Sequence, residues 1–129
     1  MKTELKFGDT SQTLTIADEN LQGVLTLNAV EPDLMNGEEV QRAIQNPIGS
    51  PRLKEIIKAG ETVAIVTSDI TRPMPSALVL PYVLEELAEA GIKDEDIKIV
   101  FALGSHRFHT EEEIVRLVGK EIAERYTCI

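Results

Sequence analysis

Apolar and polar positions alternate over Lys2–Phe7 and again over Gln12–Ile16, with Gly8-Asp9 between them. That pattern predicts a β-hairpin with one half-buried face. Asn20–Asn28 (NLQGVLTLN) carries enough β-prone residues to predict a third short strand. The period then changes. Val40, Ala43 and Ile44 are spaced for one face of a short helix over Gly37–Gln45, and Asn46-Pro47 stops it. Asn46–Pro51 (NPIGSP) reads as a turn-rich connector. In the next segment Ser50 is placed to cap a helix, with Pro51 in its first position. Leu53, Ile56 and Ile57 form the buried stripe and Gly60 closes the helix.

From there an apolar β-type run followed by a polar loop and a helix occurs twice. The first run is Thr62–Thr67 (TVAIVT), apolar on both faces, which predicts a central strand covered by helices. Its loop, Ser68–Ser76, leads to a helix in which Leu80, Val83, Leu84, Leu87 and Ala88 follow i, i+3, i+4, i+7, i+8 spacing. Pro81 either occupies the first position of that helix or kinks it, and Gly91 ends it. The second run is Ile97–Leu103 (IKIVFAL), preceded by the charged turn Lys93–Asp96 and followed by the loop Gly104–His109. The last helix opens on a capping box, Thr110 with Glu113. Ile114, Leu117, Val118 and Ile122 face inward and Gly119 interrupts it. Tyr126–Ile129 is apolar and β-prone, so the chain reads as cut where another strand begins. The predicted fold is α/β: a Rossmann-like parallel sheet with flanking helices and right-handed crossovers, preceded by an N-terminal β-hairpin. Residues 1–28 form the β-rich leader and residues 37–129 the α/β core.

Composition narrows the function classes. A chain of 129 residues, 43% hydrophobic and 27% charged, can bury a core as one domain. Its net charge of −9 argues against nucleic acid, which needs a basic surface. It leaves room for a small anion held by local arginines. The single cysteine, Cys128, provides neither a disulfide framework nor a cysteine metal site. No apolar signal core opens the chain and no run reaches membrane-spanning length, so a soluble, cytoplasmic protein is expected.

The two loops hold the candidate chemistry. In open α/β sheets, ligands bind outside the carboxyl ends of the strands, and both loops open there. Ser68–Ser76 (SDITRPMPS) has no glycine, so it is no dinucleotide or P-loop fingerprint. It offers Asp69 as an acceptor, Thr71 as a hydroxyl and Arg72 as a fork for carboxylate or phosphate. Pro73 and Pro75 stiffen the backbone beside Arg72. Gly104–His109 (GSHRFH) brings His106, the side chain best suited to proton transfer near neutral pH, and Arg107. The opposing readings are a turn-capping Asp69, solvated arginines and surface histidines. His109 reads as a surface residue or a second proton carrier. Two histidines without a cysteine make a poor zinc site.

Three stretches, NPIGSPRL at Asn46–Leu53, SDITRPMPS at Ser68–Ser76 and GSHR at Gly104–Arg107 followed by TEEE at Thr110–Glu113, resemble the N-terminal domain of the nickel-dependent lactate racemase family. The resemblance implies a two-domain α/β enzyme that racemises or epimerises a 2-hydroxy acid with a nickel pincer nucleotide. A hydride shuttles to the cofactor while a histidine takes the hydroxyl proton. By the same resemblance His106 is the catalytic acid–base. Asp69, Thr71 and Arg72 contact the cofactor, and Arg72 and Arg107 face the substrate. No metal ligand falls within the chain. The cofactor-bearing lysine and the nickel-binding histidine belong to a later segment, so this chain is expected to be a half-site without turnover of its own, partnered by its C-terminal domain. Ile70, Phe108 and His109 depart from the racemase pattern, which leaves a 2-hydroxy acid other than lactate open as substrate. Two further readings remain: a non-catalytic α/β module binding a nucleotide or small carboxylate, and an interaction domain whose apolar end awaits a partner.

Overall fold

The computed structural model describes all residues, Met1–Ile129. It divides into two compact units, Met1–Pro32 and Asp33–Ile129. In the first, β1 (Lys2–Phe7) and β2 (Thr10–Thr15) pair antiparallel, with Phe7 opposite Thr10. The two-residue turn is the predicted Gly8-Asp9, and Gly8 takes φ +60° there, a conformation that favours glycine. The hairpin faces are exposed rather than half-buried: Leu5 and Phe7 lie open to solvent. The third strand predicted over Asn20–Asn28 does not form. Asp18–Asn20 makes a single 3₁₀ turn and residues 21–28 have no ladder partner. β propensity yields a strand only where a neighbouring edge supplies hydrogen bonds.

The second unit begins with α1 (Asn36–Gln45), which stops at Asn46 as predicted. Gly37 allows α1 to approach a later helix, α3 (Ser76–Glu89), since a Cβ there would overlap the Tyr82 hydroxyl. The next helix, α2 (Leu53–Ile56), is one turn long and starts later than the Ser50-Pro51 signal indicates. Two interactions set its start. Arg52 N–H donates to the Glu55 carboxylate at 3.1 Å, and the Arg52 guanidinium pairs with Glu86, a carboxylate only 4% exposed on α3.

Three parallel strands follow in the order β3-β4-β5: Val63–Ser68, Ile97–Ala102 and Thr127–Cys128. Val63 lies opposite Ile97, and Ile99 opposite Cys128. The β-prone end of the chain therefore does enter the sheet. Helix α3 (Ser76–Glu89) starts ahead of Pro81 and contains it. Burial of Leu80, Leu84 and Leu87 outweighs the backbone hydrogen bond that proline cannot donate. Thr110 and Glu113 form the predicted capping box of α4 (Glu111–Val118). Gly119, at φ +88°, separates it from α5 (Lys120–Arg125).

The core joins Ile97, Ile99 and Phe101 of β4 to Leu80, Leu84 and Leu87 of α3, and to Leu117, Val118 and Ile122 of the last two helices. Helices cover this one face. On the other, Ala64, Val66, Lys98 and Ala102 are exposed, so β3 is not covered on both sides as its sequence suggested. The predicted fold class is present: an α/β unit with a parallel sheet and flanking helices, preceded by a hairpin. No helix is long and apolar enough to cross a membrane.

Candidate functional site

Strands β3 and β4 end in register at Ser68 and Ala102, so their loops leave the sheet side by side. The first loop is shaped by Asp69. Its backbone carbonyl accepts from Arg72 N–H at 3.2 Å. Its Oδ1 accepts from Thr71 N–H at 3.2 Å and from the Thr71 hydroxyl at 2.6 Å. Aspartate favours such turns because its short side chain reaches the backbone two residues on. The start of α3 is pinned to β3 by a hydrogen bond of 2.6 Å between the Thr67 and Ser76 hydroxyls. In the second loop, His106 N–H donates to Leu103 carbonyl at 3.0 Å, and Gly104 at φ +59° permits the tight turn.

These two turns bring together three of the residues the sequence singles out, Asp69, Thr71 and His106. Asp69 Oδ2 meets His106 Nδ1. Asp69 is buried, 3% exposed, while the His106 side chain is 52% exposed. The pair is thus an ionised carboxylate at the floor and an imidazole at the surface. Since Oδ2 can only accept, Nδ1 carries the proton, and the neutral ring presents Nε2 as a free base. The Thr71 hydrogen bond, followed by the His106 contact, holds the Asp69 carboxyl well below its ordinary value, at about 2.

Arg107 sits elsewhere. Its guanidinium forks onto Glu113 at 2.7 and 2.8 Å and also donates to the Phe108 carbonyl at 2.9 Å. The Arg107 fork, followed by a backbone hydrogen bond from Thr110, holds the Glu113 carboxyl down to about 2. Arg72 makes no ion pair and lines a neighbouring open cleft of about 350 Å³ with Thr71 and Arg116. A second cleft of about 360 Å³, between α3 and α5, contains none of these residues. No group of three or more His, Cys, Asp or Glu side chains converges as a metal site.

His109, by sequence a surface residue or second proton carrier, links the two loops. Its Nε2 accepts from Ile70 N–H at 3.2 Å, and its ring stands edge-on to Phe101 at 5.0 Å. Accepting at Nε2 places the proton on Nδ1, which is buried without a partner. The only signal in the sequence was its spacing three residues beyond His106. His109→Phe keeps the ring and removes the acceptor, leaving a part-buried N–H unsatisfied at a cost of about 1 kcal/mol. His109→Gln restores an acceptor. Urea unfolding is expected to rank the phenylalanine variant below the glutamine variant, and equal midpoints would show the bond to be idle.

The two depressed carboxyls, Asp69 and Glu113, make stability depend on pH in acid. Both bind fewer protons folded than unfolded, where their pKa lies near 4. Their stabilisation is complete above about pH 4 and is lost as pH falls towards 2. Urea midpoints measured from pH 5 to pH 2 are expected to fall. Asp69→Asn should flatten part of that slope, and an unaltered slope would contradict the assignment.

The fold and site define an α/β domain with a carboxylate–imidazole pair at the carboxyl edge of its parallel strands. Comparison with known proteins makes this specific. The family model described as the lactate racemase N-terminal domain matches residues 7–129. The chain belongs to that family. It is 35% identical over 123 residues to the lactate racemase of Thermoanaerobacterium thermosaccharolyticum, covering 94% of this chain and 29% of that protein. It is 36% identical over 121 residues to the lactate racemase of Lactiplantibacillus plantarum, covering 92% and 28%. The structure of the lactate racemase apoprotein from T. thermosaccharolyticum superposes with a TM-score of 0.77 at 30% identity, over 100% of this chain and 30% of that one. The chain thus spans less than a third of the length of these relatives.

Proposed function

We propose that this chain is the N-terminal part of a two-domain racemase or epimerase that interconverts the stereoisomers of a 2-hydroxy acid, lactate or a related acid. The observation that supports this reading best is the contact between Asp69 and His106 across the two loops. It presents one nitrogen base at the sheet edge, oriented by a buried carboxylate. Such a base suits a reaction that must remove and return a hydroxyl proton.

His106 Nε2 takes the proton of the substrate hydroxyl and gives it back on return. Asp69 acts as a positioning residue: its Oδ2 fixes the tautomer and stabilises the imidazolium when it forms. Thr71 holds the other carboxylate oxygen, so Asp69 has no freedom to turn away. Through that turn Asp69 also sets where Thr71 and Arg72 meet the cofactor. The residues fit the nucleotide part of a nickel pincer nucleotide: Arg72 is unpaired, and the Ser68 hydroxyl is buried without a partner beside Asp69. They offer no ligand set for the metal itself, which falls to another segment. When bound, that cofactor supplies hydride-accepting chemistry at the substrate Cα. Arg107 reaches a substrate carboxylate only by exchanging it for Glu113. On this reading the chain alone is a half-site without turnover.

The test is chiral chromatography of single-enantiomer 2-hydroxy acids incubated with the cofactor-loaded full-length protein. Appearance of the opposite enantiomer is the expected result and identifies the acid. No inversion of any acid, with cofactor demonstrably bound, would overturn the proposal in favour of a binding role.

A further inference from the structure

This chain has 22 acidic residues against 13 lysines and arginines, and most of its arginines are neutralised. Arg42 pairs with Glu39, Arg52 with Glu86, Arg107 with Glu113 and Arg125 with Asp94. The remaining two, Arg72 and Arg116, form no ion pair. They line the same open cleft of about 350 Å³, which Thr71 and Met74 border from the first loop and Leu117 from α4. Arg116 is not short of an internal partner by position. Glu112 stands four residues before it on α4, the order in which helical ion pairs form best, yet the two do not pair.

We infer that Arg116 is the second arm of a two-arginine anion site, with Arg72 as the first, and that its ligand is a phosphate monoester dianion. A carboxylate monoanion is satisfied by one bidentate fork. Two forks on separate elements suit a group with two charges and three terminal oxygens. Both side chains are open to solvent and start from well-placed backbone: Arg72 precedes Pro73 in the loop before α3, and Arg116 precedes the buried pair Leu117 and Val118. A net charge of −9 repels a dianion at long range, so local pairing of the two cations is the condition for binding, and affinity should fall steeply with salt. This site deepens the proposed function, because a mononucleotide cofactor carries such a phosphate, and it rests on that reading for its native ester. Arg116 lies outside the three stretches that carry the family resemblance.

The experiment is isothermal titration of the full-length protein with inorganic phosphate, with nicotinamide mononucleotide and with lactate. Phosphate is expected to bind, and Arg72→Gln and Arg116→Gln each to weaken it at least tenfold. Arg116→Lys should recover part of that loss, since it keeps the charge and loses the fork. Glu112→Gln should leave binding unchanged. Mononucleotide binding more tightly than free phosphate supports a nucleotide as the source, and equal affinity supports free phosphate. An Arg116→Gln protein that binds phosphate as the unsubstituted protein does would overturn the site. So would absence of phosphate binding. Failure of the chiral assay with phosphate binding intact would remove the racemase reading and leave this site standing.

Discussion

Replacing His106 with alanine in the full-length protein is expected to lower racemisation by about 10²–10⁴-fold, the contribution of a well-placed general acid–base. The loss should fall on kcat with KM nearly constant, because proton transfer matters in the transition state rather than in binding. His106 is half exposed, so the fold should survive the change. Cofactor loading should also survive, since the Arg72 cleft does not include His106. Turnover within twofold of the unsubstituted protein would return His106 to a surface role.

Asp69→Asn is the second large effect. The substitution keeps the shape of a side chain that is 3% exposed, so any loss reports the charge. An amide can turn its NH₂ towards His106 Nδ1, which moves the imidazole proton to Nε2 and blunts the base. The asparagine variant also cannot stabilise an imidazolium. A fall of about 10²–10⁴-fold is expected, by analogy with carboxylates that orient catalytic histidines elsewhere. A merely structural role would lower activity in any background. The double variant separates the cases: if Asp69 acts through His106, Asp69→Asn with His106→Ala should be no slower than His106→Ala alone. Additive losses would show that Asp69 works independently of the histidine.

The parts of this site differ in how far they could be read from the chain. Asp69 and His106 were singled out because each loop follows an apolar run, and position at a strand's carboxyl end is a local signal. Their contact is not local: 37 residues separate them, and only the parallel register of β3 and β4 sets them side by side. Likewise Arg107 looked free because Glu113 was already accounted for as a capping residue. The structure gives that carboxylate both tasks, accepting from Thr110 N–H and from Arg107. The role of His109 is not legible in the chain, because a histidine's use as an acceptor for a distant N–H leaves no trace in spacing.

The fold shows the same division. The Gly8-Asp9 turn, the Thr110–Glu113 box and the Asn46 stop are short-range features, and they form as expected. The strand over Asn20–Asn28 failed because a ladder needs a partner as well as propensity. Pro81 lies within α3 because tertiary burial decided the helix start, and Ser50 lost its capping role to Arg52 once Glu86 drew the arginine in. Val66 reads as core from its neighbours, and yet the face it occupies is open at 67% exposure.

Everything proposed for this site depends on a buried carboxylate, Asp69, holding one imidazole with its second nitrogen free at the sheet edge. Long-range ¹H–¹⁵N correlation of the imidazole nitrogens, recorded on the folded protein at pH 8 and assigned by loss of the His106 signals in His106→Ala, tests it most directly. A protonated Nδ1 and an unprotonated Nε2 are expected for His106, with the Nδ1 proton lost from its hydrogen-bonded position in Asp69→Asn. A His106 ring carrying its proton on Nε2, with Nδ1 bare, would contradict it.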